Sequence, residues 1–167
     1  ALIKQPVLDP AYVGVADYVA AIGKGRGFAP SRITPPRLAN RLEADCREAL
    51  RLVARIEPRD DLALAYEAAD IRAWAHLGLH LAAKIRGAVA LQKFRTTGDQ
   101  TAKDQAVHQL QIALVEWDKV IAITDPLYRP MLLTHFTGQS SALNPDAKFH
   151  WKLLRADVAR DVETARA

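Results

Sequence analysis

The sequence predicts an all-α fold, an antiparallel helical bundle of about five helices around one long central helix, and three observations predict it. Apolar residues recur at steps of three and four in segment after segment, the period of a helix that lays one face on a core. Proline and glycine fall where such segments begin and end. Neither a sustained apolar/polar alternation nor a fixed-period repeat is present, which argues against sheet-based and solenoid folds. A length of 167 residues suits a single domain spanning 1-167.

The first helix is expected to open at Asp9-Pro10, to carry Tyr12, Val15, Val19 and Ile22, and to stop at Gly23. A loop from Gly23 to Ile33 follows, and Thr34-Pro35 caps and starts the second helix. That helix runs to about Ile56 on a stripe of Leu38, Leu42, Cys46, Ala49, Val53 and Ile56. The turn Glu57-Pro58-Arg59-Asp60 breaks it.

The third helix is expected from about Asp61 to Thr97. It is apolar on most sides, with Leu62, Ile71, Trp74, Leu81, Ile85 and Phe94 among its residues, and should therefore be the central, most buried one. Gly78 and Gly87 lower its intrinsic propensity by about 1 kcal/mol each, so they mark close helix packing or a bend. Thr97-Gly98-Asp99 is a stop followed by a cap, and Val107, Leu110, Leu114, Trp117 and Ile121 form the seam of a fourth helix. An irregular stretch from Thr124 to Asn144 carries Pro126, Pro130 and Gly138. Asn144-Pro145 then caps a fifth helix with Trp151, Leu154, Val158 and Val162 on one face.

The net charge of +4 and a pI near 9.4 leave nucleic acid an unexpected partner, because basic residues are distributed along every segment without a consecutive run or a recognition motif. No apolar segment reaches the roughly 18 uncharged residues that would cross a membrane, and no signal-peptide pattern opens the chain. The single cysteine, Cys46, excludes an internal disulfide and a CxxC motif, and its place on the second helix's stripe reads as a buried thiol. The chain starts at Ala1 and contains one methionine, Met131, which suggests a domain excised from a larger protein.

His76 and His80 stand four apart, the spacing at which two imidazoles can share a metal on a helix face. Without HExxH they read better as histidines hydrogen-bonded at a helix interface, and no metal or other cofactor is expected. Asp70, Arg72, Lys84 and Arg86 lie on the same apolar helix, where a buried charge needs a partner. An internal ion-pair network is the favoured reading; a cleft for an anionic or polyhydroxy ligand is the alternative. Gly23-Lys24-Gly25-Arg26-Gly27 lacks the strand and the GK[ST] ending of a phosphate-binding loop and reads as a flexible basic loop. Tyr128, Arg129, His135, Phe149, His150 and Trp151 surround the irregular segment, an aromatic and polar set suited either to packing a long loop or to contacting a sugar or peptide. No nucleophile elbow or supported Cys-His pair appears, so catalysis by this domain is the less favoured reading, with a hydrolase acting through His and carboxylate groups brought together by the fold as the remaining alternative.

The runs Ala69-Asp70-Ile71-Arg72-Ala73-Trp74-Ala75-His76-Leu77-Gly78 and Ala83-Lys84-Ile85-Arg86-Gly87-Ala88, with Tyr128-Arg129-Pro130 and Phe149-His150-Trp151, resemble helical C-terminal regions of large secreted bacterial proteins related to glycoside hydrolases. These are not signature motifs of a catalytic family, and no catalytic residue carries over. The resemblance implies an accessory module, secreted or periplasmic, with neighbouring domains of the parent protein as partners and carbohydrate as a further candidate. Asp70, Arg72, His76, Lys84, Arg86, Tyr128, Arg129, His150 and Trp151 are then the candidate ligand-binding residues.

Overall fold

The structure, a computed structural model, describes residues 2–132 and 148–167. Its five helices are α1 (Val15–Ile22), α2 (Pro35–Val53), α3 (Leu62–Thr97), α4 (Gln100–Thr124) and α5 (Arg155–Arg166). The all-α bundle with a long central helix is as the periodicity predicts. The expected cap at Asn144-Pro145, together with His135 and Gly138, lies outside the described residues.

Local chemistry sets the helix ends. The Asp61 side chain accepts from the Leu64 backbone N–H at 3.0 Å to start α3. At the other end Gly98 adopts φ +73, the left-handed conformation that terminates a helix cheaply only with glycine, and Asp99 caps α4 by accepting from Thr101 N–H at 3.0 Å. The interior glycines of α3 serve packing. A Cβ at Gly78 would collide with Cys46 Sγ on α2, and one at Gly87 would lie 2.8 Å from Leu110 Cγ on α4. Cys46 is consequently half-buried against α3. Burial is the main cause that raises its thiol pKa, with the neighbouring Asp45 carboxylate adding to the shift.

Three boundaries differ from expectation. Asp9-Pro10 forms a turn, with the Asp9 carboxylate accepting from Ala11 N–H at 2.8 Å. The chain then runs extended, Tyr12 bridging to Ile33, and α1 starts later than expected, at Val15 behind Gly14. Helix α2 stops at Val53, and Arg55 and Ile56 fold into tight turns whose N–H groups bond Leu52 and Val53 carbonyls. The face expected of a fifth helix divides. Trp151–Leu154 form a 3-10 turn, and Arg155–Arg166 alone are α-helical. The histidine before the turn explains the break, because the His150 side chain caps it by accepting from Lys152 N–H at 3.2 Å. A two-residue antiparallel ladder, β1 (Met131–Leu132) on β2 (Lys148–Phe149), was also unforeseen; segments of two residues are too short to display a period.

Helix α3 packs antiparallel between α2 and α4, and α5 lies against α4. Alanines allow the close approach: Ala39, Ala82 and Ile85 form one buried cluster, while Leu91, Ala106, Leu110, Val162 and Ala165 form another. The central helix is not buried all round, however. Leu62, Ile71, Trp74 and Leu81 are exposed along it.

Candidate functional site

The candidate site is a cleft of about 330 Å³ between the N-terminal half of α3, the end of α4 and the small ladder. Its aromatic wall is built outward from the core. The His80 Nδ1–H donates to the Ala113 carbonyl at 2.9 Å, and burial lowers the pKa of this imidazole. The His80 ring lies 4.9 Å from that of Trp117, which stands 5.6 Å from Trp151 in an edge-on arrangement. Trp117 Nε1–H donates to the Trp151 carbonyl at 3.1 Å, so the ring that fills the core also locks the backbone of the turn. Phe149 and Trp74 complete the wall, both edge-on to Trp151 at 5.1 and 6.5 Å. At the rim Trp74 is 66% exposed.

Polar groups converge on this wall. The Tyr128 hydroxyl donates to Asp70 Oδ1, and that carboxylate pushes the phenol pKa up to about 12. Arg129 lines the cleft beside them. His150 lines it too and is only 2% exposed. Because its Nδ1 accepts from the backbone, the neutral ring carries its proton on Nε2. No described residue accepts that proton, the Asp125 carboxylate lying 3.9 Å away and held instead by Lys152 Nζ at 2.5 Å. Lys152 is also the main cause that lowers the Asp125 pKa.

Of the nine candidate residues, Asp70, Tyr128, Arg129, His150 and Trp151 come together here. The other four do not. His76 pairs with Glu116 on α4 at 2.7 Å, Lys84 with Asp161 on α5 at 2.6 Å, and Arg86 with Glu43 on α2 at 2.5 Å. Arg72 reaches only the Val53 carbonyl, at 3.5 Å. Lys84 and Arg86 thus form ion pairs that tie α3 to its neighbouring helices, as the network reading expects, whereas Asp70 and Arg72 have uncharged partners and none of the four pairs with another. Helix geometry gives the reason: at about 100° per residue Arg72 and Arg86 point toward one side and Asp70 and Lys84 toward another, with about 21 Å separating the latter two along the axis. His76 and His80 satisfy separate interface bonds, as expected. Among the described residues no group of three or more His, Cys, Asp or Glu is placed to hold a metal ion.

Trp74 is the residue that sequence reasoning missed, being counted among the apolar residues of a helix expected to be the most buried one. The available signal was its spacing of four from Asp70, which sets both on one helix face. No family model matches this chain, and neither the curated proteins nor the solved structures yield a match.

Proposed function

We propose that this chain is a non-catalytic accessory module that binds a small ring-shaped ligand, a sugar residue of a glycan, in the Trp74–Trp151 cleft. One observation carries the reading: an indole two-thirds in water stands at the mouth of a concave aromatic wall that is rigidly tied to the core. Exposing such a ring forgoes its burial, worth about 1.5–3 kcal/mol for a large apolar side chain, and a ligand with an apolar ring face restores it. The Asp70–Tyr128 pair and Arg129 lie where hydroxyl groups on the ring edge would be met. Titration with neutral mono- and disaccharides, followed by tryptophan fluorescence and calorimetry, tests the idea. Saturable binding that disappears in Trp74→Ala is expected, whereas the absence of binding, or equal binding by that variant, rules it out.

A second reading, contact with a neighbouring domain of a parent protein, is favoured by the exposed Leu62, Leu64 and Tyr66 at the start of α3. It predicts binding by the whole face with no response to sugars.

A further inference from the structure

A second hollow lies away from the aromatic cleft and differs from it in chemistry. Its volume is about 480 Å³. The N-terminal arm supplies one wall through Leu2, Val7 and Leu8, and Val15, Leu38 and Ile85 form the floor. Leu8 is 100% exposed, and the only lining side chains that bear polar groups are Gln5, Asp9 and Tyr12. The Asp9 carboxylate is engaged by the Ala11 N–H.

Arginines edge this groove. It shares Tyr12, Ile33 and Leu38 with an adjoining hollow of about 300 Å³ that contains Arg37 and Arg41. Arg32 joins them, its guanidinium donating to the Tyr12 carbonyl at 2.9 Å, while Arg37 donates to the Pro30 carbonyl at 2.6 Å. Neither forms an ion pair among the described residues. Arg41 reaches Asp45 only at 3.7 Å, with both side chains in solvent. Each guanidinium has five donors, so most of them remain available to an anion.

The charge distribution points the same way. Six basic and two acidic residues fall within positions 1–41, a net of +4, which equals the formal charge of the whole chain; positions 42–167 are balanced. Farther along, basic residues such as Lys84, Arg86 and Arg155 have carboxylate partners within 2.7 Å. The net positive charge of the chain therefore falls in the segment that supplies the arm, the loop and the start of α2.

We propose that this groove binds an anionic amphiphile, a single apolar chain ending in a carboxylate, with the chain along Leu8, Val15 and Leu38 and the carboxylate on Arg37 and Arg41. Apolar burial supplies the affinity, since solvent-exposed guanidiniums bind a bare anion weakly. The guanidiniums supply orientation and selectivity, because the planar fork matches a carboxylate. This site is independent of the aromatic cleft.

Sodium decanoate, kept below its micelle concentration, is the probe, with decanol and sodium hexanoate as comparators and amide chemical shifts of the whole chain as readout. Saturable binding of decanoate is expected, tighter than that of either comparator, with shifts centred on Leu8, Val15 and Leu38. The double substitution Arg37→Gln and Arg41→Gln lies on the helix surface; it should weaken decanoate by about tenfold, the size of a charge-assisted hydrogen bond, and leave decanol unchanged. Trp74→Ala should leave decanoate binding intact. Equal affinity for decanol and decanoate, shifts centred on Trp74 and Trp151, or no saturable binding would each overturn the proposal, and none of these outcomes alters the sugar titration.

Discussion

The aromatic cleft, about 330 Å³, and the aliphatic groove, about 480 Å³, are built on opposite principles. The aromatic cleft is continuous with the core: Trp117, 6% exposed, bonds the backbone that carries Trp151, so the wall inherits the rigidity of the α3–α4 interface. The aliphatic groove is roofed by a chain segment without regular structure, anchored by the Tyr12–Ile33 bridge and by the arginine bonds to nearby carbonyls. The difference separates two ways to make a concavity. A cleft backed by interlocked rings presents a fixed shape and selects by fit, while a groove under an arm adapts to its occupant and selects by charge at its edge.

The largest effect that tests this contrast is on stability. Trp117→Ala removes a buried ring together with its hydrogen bond and is expected to cost about 3–5 kcal/mol, read as a shift in the urea midpoint. Leu8→Ala, at a fully exposed side chain, should stay within about 0.5 kcal/mol of the parent. Should Trp117→Ala prove mild, the aromatic wall is not an extension of the core, and the claim of a fixed shape fails with it.

Beneath that wall, His80 gives the contrast a pH dependence. Burial depresses its folded-state pKa below the ordinary value of 6.5, so the unfolded chain binds the proton more readily. The stability it contributes is complete above pH 6.5 and falls as pH drops through that value toward the depressed one. Denaturation midpoints measured at pH 7.5 and 5.5 should show the loss in the parent and a smaller one in His80→Gln, whose amide can still donate to Ala113. An equal loss in both would place the acid sensitivity elsewhere.

Helices α2, α3 and α4 were legible because each writes a long periodic stretch between recognisable stops. Asp61, Gly98 and Asp99 act as caps in the structure as their types predict, and Gly78 and Gly87 do mark close packing. The first helix was misjudged because an Asp-Pro pair starts a turn as readily as a helix, and here the extended pairing of Tyr12 with Ile33 prevails. The final element was misjudged because His150, an uncommon capping residue, starts a 3-10 turn ahead of α5. For the cleft, residues near one another in sequence, Tyr128 with Arg129 and His150 with Trp151, could be grouped by eye. What brings them to Asp70 and Trp74 is the antiparallel register of α3 against α4, a long-range property that one sequence does not display. The same register sends Lys84 and Arg86 to carboxylates on α5 and α2.

The smallest effect is spectroscopic and probes the polar half of the cleft without disturbing its rings. Tyr128 donates to Asp70, and its pKa, pushed up to about 12, exceeds the ordinary value of 10.0 because ionising the phenol would break that bond and set two anions side by side. In an ultraviolet titration one of the four tyrosines should therefore ionise late. Asp70→Asn removes the carboxylate charge while leaving an acceptor, and should return the late step toward the others; Trp74→Ala should leave it in place. If a sugar binds as proposed and meets the Asp70–Tyr128 pair, saturating ligand shifts the late step in the parent and has no such effect in Asp70→Asn. A late step that ignores the ligand, at saturation measured by calorimetry, would confine the sugar to the aromatic wall and leave the Asp70–Tyr128 bond a clasp between α3 and the end of α4.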